Sequence, residues 1–304
     1  MKALKSTLIA VMLGFSAMVF AQQDVHFTQY MFNGLALNPA YAGSHDALST
    51  TFLFRKQWVG IDGAPSTQTL SAHAPFISER VGVGLQLVRD QIGVSDETNI
   101  YGSYSYWIPV ANDTRLSMGL QAGATILNTQ FSNLNTVDSQ DPDFESNIKG
   151  AKPNFGTGVY LYSKRYYVGA SVPRILQSTF NSDGTVNYKQ QRHYFITGGY
   201  VFDAGPHVKL KPNVLVKVVG GAPIEADLNL NALFVDRLWL GVSWRSFDSF
   251  DFLAEYLITK QLRIGYAYDL SLTPLRNHNS GSHEIMLNYI FDFRDTKMLT
   301  PRYF

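Results

Sequence analysis

Residues 224–234 read IEADLNLNALF, an alternation of apolar and polar residues with a period of two. The even positions are apolar throughout, whereas the odd positions begin with Glu225, Asp227, Asn229 and Asn231. Successive side chains of a β-strand point to opposite faces, so this strand has one apolar face and one polar face. A soluble sandwich turns the apolar face inward, whereas a membrane barrel turns it outward to lipid and the polar face into its lumen.

The same two-faced pattern recurs along the chain after residue 46. In residues 262–266, for example, Leu262, Ile264 and Tyr266 oppose Arg263 and Gly265. Pattern reading gives about fourteen strands, at residues 47–58, 67–76, 80–90, 97–109, 114–127, 155–163, 165–173, 192–204, 207–218, 223–235, 237–248, 249–259, 261–271 and 282–293. Most of these segments are long enough to cross a bilayer when they are tilted.

The predicted connections differ in length and composition. Residues 110–113 and 203–206 are short turns, whereas residues 128–154 and 174–191 are long and rich in Asn, Asp, Ser and Gln. Short turns at one end and long polar loops at the other are typical of outer-membrane barrels. The sequence therefore predicts an all-β fold, a transmembrane outer-membrane β-barrel of about fourteen antiparallel strands within residues 47–293. An even number of strands leaves both ends of the barrel on the periplasmic side.

Residues 1–21 predict a secretory signal peptide. Lys2 and Lys5 precede the apolar run Thr7–Phe20, and Ala21 stands before a cut at Gln22. The alternative is a membrane anchor, for which the run is short. The chain has no Cys, which excludes a lipoprotein anchor, a disulfide framework and a thiolate metal site.

The composition of the mature chain narrows the class of protein. No other apolar stretch is long enough for a membrane helix, which leaves a soluble exported protein or a barrel. Aromatic residues make up 13% of the chain, and barrels use such residues as belts at both membrane interfaces. The formal net charge of +1 gives no electrostatic footprint for nucleic acid.

Residues 23–43, QDVHFTQYMFNGLALNPAYAG, show no clean helix or strand period. Asn38-Pro39 and Ala42-Gly43 are turn signals. A segment with aperiodic apolar anchors is expected to pack into a scaffold formed by the rest of the chain. Residues 22–46 therefore predict a plug inside the barrel, with contacts from Phe27, Tyr30, Met31, Phe32, Asn38, Pro39 and Tyr41.

This N-terminal stretch resembles the mature N-terminus of the PorP/SprF family, outer-membrane proteins of the type IX secretion system. Residues 55–68, RKQWVGIDGAPSTQ, are similar to the same family. So are the pieces LTPLR at 272–276, GSHE at 281–284 and PRYF at 301–304. The resemblance implies the plugged architecture of long-chain fatty-acid channels. It also implies partners among secretion components, namely the periplasmic ring and lipoproteins, or among secreted cargo and surface adhesins such as gliding adhesins.

Charged residues fall on the predicted lumen face, mainly in the last five strands. We expect them to form a salt-bridge network that fills the lumen, because charges that face lipid are costly. The other interpretation is an acidic wall that holds the plug or a partner. The candidates are Arg55, Glu225, Asp227, Arg245, Asp251, Glu255, Arg263, Asp269 and Glu284.

Two further elements are candidate partner-binding sites. The turn Trp58–Pro65 places a Trp and an Ile in a loop, where they are typical interface anchors; a place in an aromatic belt is the alternative for the Trp. The tail at residues 294–304 follows the last strand and is expected to be periplasmic, whereas the turn is expected to be extracellular. The candidate residues are Trp58, Ile61, Asp62, Arg302, Tyr303 and Phe304.

The sequence offers no signal for catalysis or for a cofactor. The seven His residues show no metal-ligand spacing such as HExxH, and residues 241–245, GVSWR, lack the last Gly of a nucleophile elbow. We expect a non-enzymatic outer-membrane protein in contact with membrane lipid, and the resemblance to the PorP/SprF family implies a component of type IX secretion that binds exported surface proteins or the secretion machinery. The alternative is an outer-membrane channel or transporter for hydrophobic or small solutes.

Overall fold

The computed structural model describes residues 25–76, 78–134, 147–181 and 187–291. These residues form a closed antiparallel barrel of 14 strands in which each strand pairs with the next and β14 pairs with β1. The strands are β1 Leu48–Lys56, β2 Ser66–Phe76, β3 Ser78–Ile92, β4 Ser95–Ala111, β5 Thr114–Thr129, β6 Ile148–Tyr162, β7 Tyr166–Val172, β8 His193–Tyr200, β9 Val208–Val219, β10 Glu225–Phe234, β11 Leu238–Arg245, β12 Ser249–Leu257, β13 Leu262–Ser271 and β14 Ser282–Phe291. The predicted fold and strand number are confirmed.

Short elements accompany the barrel strands. Phe202–Asp203 adds two residues to the pairing with β9, and Thr179–Asn181 pairs with Asn187–Lys189 in a separate hairpin. Single-turn 3₁₀-helices lie in the N-terminal segment and in two loops, at Tyr30–Phe32, Gly34–Ala36, Pro39–Tyr41, Phe131–Asn133 and Pro274–Asn277. Within the described part of the chain, no helix has the length and apolar character needed to cross a membrane.

The alternation read from the sequence places side chains on the two faces of the wall as predicted. In β10, Leu228 is 50% exposed on the outer face, whereas its neighbour Asn229 is 5% exposed on the inner face. Aromatic side chains on the outer face lie near both rims, in agreement with interfacial belts. Examples are Phe76, Tyr200, Phe202 and Phe291 near one rim and Tyr194, Trp244 and Phe250 near the other.

The two ends of the barrel differ in the length of their connections. One end carries residues 57–65, 130–147, 173–192 and 272–281 between strands, and we call it the long-loop end. The other carries connections such as residues 112–113, 163–165 and 235–237, and we call it the short-turn end. In outer-membrane barrels the short turns face the periplasm and the longer loops face outward.

The wall is taller on one side than on the other. Strands β3 to β6 contain 15, 17, 16 and 15 residues, whereas β11 and β12 contain 8 and 9. At the long-loop end the tall strands carry polar pairs such as Arg89–Asp96, with 2.5 Å between Nη2 and Oδ2.

One predicted strand boundary on this tall side is wrong, and one predicted loop elsewhere contains additional structure. The predicted strand 155–163 begins earlier, at Ile148, because residues 148–154 continue the pairing with β5. Lys149 and Lys152 stand on opposite faces of that extension and are both exposed. Beyond the apolar band, the lipid-facing zone of the barrel wall, both faces of a strand meet water. The alternation of apolar and polar residues that marks a strand is therefore lost there. The predicted loop 174–191 likewise contains the short hairpin.

Candidate functional site

The N-terminal segment, residues 25–46, lies in the lumen of the barrel. Its predicted contact residues Phe27, Tyr30, Met31, Phe32, Asn38, Pro39 and Tyr41 are all buried. The segment folds locally as three successive 3₁₀ turns. Asn38 begins the third turn, because its Oδ1 accepts the N–H of Ala40 at 2.9 Å and Pro39 occupies the first helical position.

The segment crosses the lumen from one end of the barrel to the other. His26 lies at the long-loop end, beside Lys217 and Glu225. Lys217 is the third residue from the end of β9, and Glu225 is the first residue of β10. Asp46 lies at the short-turn end, where its Oδ1 is 2.7 Å from Nη1 of Arg115. The chain thus enters the lumen among the long loops and leaves it among the short turns.

Buried charges on one side of the lumen meet the first part of this segment. We call the inner face of β1 and β10–β14 the ionic wall. Arg55 Nη2 lies 2.7 Å from Asp269 Oδ2, and Arg55 Nη1 lies 3.3 Å from Glu284 Oε2. Arg245 Nε lies 3.1 Å from Asp227 Oδ2, and its Nη atoms are 3.8 Å from carboxylate oxygens of Asp251 and Asp269.

The ionic wall binds the backbone of the segment directly. Glu284 accepts the N–H of Thr28 at 2.9 Å and the N–H of Gln29 at 2.8 Å. The hydroxyl of Thr28 donates to Asp269 at 2.8 Å and accepts from Arg55 Nη1 at 2.9 Å. Hydrogen bonds to charged groups are the stronger class, and buried carboxylates are costly unless they are paired in this way.

The predicted lumen charges are not one continuous network. Arg55, Arg245 and four carboxylates form the cluster above. Glu225 pairs instead with Lys217 at 2.6 Å, next to His26. Glu255 and Arg263 form a separate pair at 3.2 Å.

Apolar packing joins the segment to the same wall. Phe32 and Trp239 have ring centroids 6.1 Å apart at an angle of 60°, within the range of favourable aromatic pairs. Asn229 Nδ2 donates to the hydroxyl of Tyr30 at 3.2 Å. Tyr30, Phe32 and Trp239 belong to a buried cluster with Leu53, Leu233 and Met286.

Small residues on the opposite side of the lumen meet the second part of the segment. We call the inner face of β3–β6 the glycine wall. A Cβ placed on Gly82 would stand 2.2 Å from the carbonyl oxygen of Ala42, and one placed on Gly119 would stand 2.1 Å from the nitrogen of Ala40. Both neighbours are backbone atoms, so these positions admit only Gly without a shift of the segment. Ser105 Oγ also donates to the carbonyl of Ala42 at 2.7 Å.

Several participants were not predicted from the sequence. Lys211 and Lys217 share the inward parity of Asn213 in β9 and are buried, so the alternation contained the signal for them. Thr28 and Gln29 carried none, because the segment has no period and their role depends on carboxylates more than 200 residues away, 256 in the case of Thr28 and Glu284.

The predicted partner-binding turn lies at the long-loop end. Trp58 and Ile61 are half-buried and Asp62 is exposed. The turn is hydrogen-bonded to the loop that precedes β14: Val59 donates its N–H to the carbonyl of Gly281 at 2.9 Å and accepts from the N–H of Ser280 at 2.7 Å. The other candidates, Arg302, Tyr303 and Phe304, lie outside the described residues, as does the whole tail at 294–304.

A loop is joined to the barrel wall at the long-loop end. The hydroxyl of Tyr188, in the hairpin between β7 and β8, donates to Glu97 Oε2 at 2.7 Å. Burial and the Glu97 carboxylate raise the pKa of Tyr188, so the hydroxyl stays protonated and acts as the donor. Arg174 Nη1 lies 3.3 Å from Glu97 Oε1 in the same place.

The described residues contain no group of three or more His, Asp or Glu arranged to hold a metal ion. The buried charges are instead satisfied mainly by one another and by the N-terminal segment. The polar groups of the lumen thus hold the N-terminal segment in place.

The sequence matches the profile of one protein family over residues 19–289. The family is described as the type IX secretion system membrane protein PorP/SprF. A comparison with curated protein sequences gave no match.

Solved outer-membrane barrels are similar in general shape. The outer membrane protein Omp33 of Acinetobacter baumannii has a TM-score of 0.46 at 9% identity, over 81% of this chain and 100% of Omp33. A Pseudomonas aeruginosa FadL homologue has a TM-score of 0.45 at 12% identity, over 87% of this chain and 94% of the homologue. The CymD monoaromatic hydrocarbon channel gives 0.49 at 11%, over 86% and 93%.

Proposed function

Because the chain belongs to the PorP/SprF family of type IX secretion system membrane proteins, we propose that it is a non-enzymatic docking component of that system. The protein is located in the outer membrane, where the proposed role is to bind an exported surface protein, such as an adhesin, or a periplasmic subunit of the secretion machinery. Attachment of adhesins for gliding motility belongs to the same proposal. The barrel serves as a rigid scaffold, and recognition takes place at its two aqueous ends.

The occupied lumen is the observation that supports a docking role over a transport role. The N-terminal segment is buried along residues 27–33, and three of its donors are bound by Glu284 and Asp269 at distances below 3.0 Å: the N–H groups of Thr28 and Gln29 and the hydroxyl of Thr28. A transport path requires open space through the barrel. A segment fixed by buried charge-assisted hydrogen bonds suits a barrel whose partners bind outside the lumen.

The turn Trp58–Pro65 supports an extracellular docking site. Its residues stand beyond the apolar band, and its hydrogen bonds to the loop before β14 hold it in place. A fixed turn loses little conformational freedom when a partner binds, and Trp side chains are common interface hot spots. Trp58 and Ile61 are the proposed apolar contacts, and Asp62 is the proposed polar one. The tail residues Arg302, Tyr303 and Phe304 are the proposed periplasmic contacts.

A pull-down from native membranes tests this function. Affinity-tagged wild-type protein, a Trp58→Ala variant and a variant without residues 295–304 are compared for co-purifying secretion components and secreted surface proteins. We expect Trp58→Ala to weaken cargo binding at least fivefold, or about 1 kcal/mol, and the truncation to weaken binding of periplasmic components. Trp244→Ala, a change on the lipid-facing side of β11, is the matched control and should retain both.

Two outcomes contradict the proposal in different ways. If heat-modifiability shows folded barrels and both variants retain all partners at wild-type levels, the turn and the tail are not docking sites. If intact wild-type protein conducts steadily in a planar bilayer and captures no secretion component, the protein is a channel and the docking role is wrong.

A further inference from the structure

The direction in which the N-terminal segment crosses the lumen determines the side on which the chain begins. Asp46, at the short-turn end, leads directly into β1. Going backward along the chain, residues 27–33 are buried, and Val25 and His26 at the long-loop end are half-buried. The segment is thus covered by the barrel in its middle and meets solvent near both ends.

The contacts of the first described residues place this end of the segment at the long-loop end of the barrel. The His26 side chain is 19% exposed and lies 3.9 Å from Glu225, the first residue of β10. Val25 lines a cavity of about 50 Å³ together with Arg174 and Pro173 of the loop after β7. Since β10 begins and β7 ends at the long-loop end, Val25 stands at the mouth formed by the long loops.

We infer that the protein is threaded outward through its own barrel, so that the mature amino terminus is displayed on the extracellular surface. Cleavage after Ala21, which the sequence predicts, leaves three residues before Val25. Three extended residues reach about 10 Å, whereas the apolar band of an outer-membrane barrel is about 25 Å tall. A terminus tethered at Val25 cannot return to the periplasm.

This arrangement places the two ends of the described chain on opposite sides of the membrane. Leu48, the first residue of β1, and Phe291, the last residue of β14, are paired across the two strands at the short-turn end. The last strand therefore ends on the periplasmic side, whereas the chain begins on the outer side. An extracellular partner can reach the amino terminus, and a pull from outside loads the contacts of His26 with Lys217 and Glu225 before the hydrogen bonds of Thr28.

Single-cysteine labelling in intact cells tests the inference, since the natural chain has no Cys. A short Gly-Ser tag that carries one cysteine is inserted between Gln22 and Gln23, so that the thiol is clear of the barrel. Ala222→Cys, in the exposed loop between β9 and β10, reports the long-loop end. Lys164→Cys, in the exposed turn between β6 and β7, reports the short-turn end. A membrane-impermeant maleimide is applied before and after permeabilisation of the outer membrane.

We expect the tag and Ala222→Cys to be labelled to at least 80% of their denatured reference in intact cells, and Lys164→Cys only after permeabilisation. If the tag, like Lys164→Cys, is labelled only after permeabilisation, the inference is overturned. Labelling of Lys164→Cys alone in intact cells shows instead that the barrel is inverted, which contradicts the proposed orientation of the docking faces. Mass spectrometry of the purified variant checks the cleavage site, and a retained signal peptide also overturns the inference.

Discussion

Residues 27–33 of the N-terminal segment face the ionic wall, whereas residues 34–46 face the glycine wall, and the two contacts use different chemistry. The first contact is made by charged side chains that reach to the backbone, as Glu284 does to Thr28 and Gln29. The second is made by the backbone itself, which lies against Gly82 and Gly119 where no side chain fits. The ionic wall binds the segment by charge-assisted hydrogen bonds, whereas the glycine wall fits it by close backbone packing.

This difference has a consequence for tolerance to change. A carboxylate attracts its partners over several ångströms, so small displacements weaken the contact gradually. Close backbone packing has no such margin, because a single methyl group creates a clash. Directional hydrogen bonds at one wall and steric fit at the other together define one position for the segment.

The largest effect is expected from the ionic wall. Glu284→Ala removes the acceptor of two backbone N–H groups and leaves Arg55 with one carboxylate fewer. Loss of one partner from a buried ion pair costs about 3–5 kcal/mol. We expect the free energy of unfolding in detergent to fall by that amount and the variant to show frequent channel openings in a planar bilayer.

Glu255→Ala is the matched control for this prediction. Glu255 pairs with Arg263 on the same wall at 3.2 Å, so its loss also breaks a buried ion pair. We expect a comparable loss of unfolding free energy without additional openings. Equal conductance from the two variants would show that Glu284 stabilises the barrel and does not anchor the segment.

The glycine wall is expected to give an intermediate effect. Gly119→Ala sets a Cβ against the backbone nitrogen of Ala40, and overpacking of this kind costs roughly 1–3 kcal/mol. Gly265→Ala on the ionic wall is the control, because its Cβ would meet Oε1 of Gln29 at 2.1 Å, the movable end of a side chain. Urea or guanidinium unfolding should rank Gly119→Ala well below Gly265→Ala in stability; the reverse order would remove the distinction between the two walls.

The smallest effect is expected at Asn38, which joins the segment to the glycine wall by a hydrogen bond. Its Oδ1 caps the 3₁₀ turn at Ala40, and its Nδ2 donates to the carbonyl of Val159 at 2.9 Å. Asn38→Ala removes both and should cost about 1 kcal/mol. Asn38→Ser keeps a capping oxygen and should recover part of the loss. If the serine variant is no more stable than the alanine variant, the wall contact dominates over the cap.

The sequence predicted the barrel well where each strand separates lipid from lumen. In β10 and β13 the period-two pattern assigned the correct face to Leu228, Asn229 and Arg263, since the membrane imposes opposite environments on neighbouring side chains. Ile148–Asn154 of β6 lies above that band, where Lys149 and Lys152 meet water on both faces, and the pattern disappears.

The buried charges were identified as a set, but their grouping was not. The alternation along each strand shows that Glu255 and Glu284 face inward. It does not show how far along the barrel axis each side chain lies or which charged residue it pairs with. The height depends on strand register, which pairs Arg55 directly with Glu284 across β1 and β14. The direction of the N-terminal segment also depends on contacts between distant residues, so aperiodic anchors such as Phe27 and Tyr30 predicted burial without orientation.

The pairing of Arg55 with Glu284 has a consequence for the order of assembly. A chain made from its amino terminus produces Thr28 early, whereas Glu284 lies 256 residues later in the last strand. Contacts of such long sequence separation form slowly, since a large loop must close before any energy is gained. Because the seam between β1 and β14 brings the same glutamate to both Arg55 and Thr28, we expect closure of the cylinder and binding of the segment to be coupled. We therefore expect that a chain that stops before β14 can neither close the cylinder nor bind its N-terminal segment through Glu284.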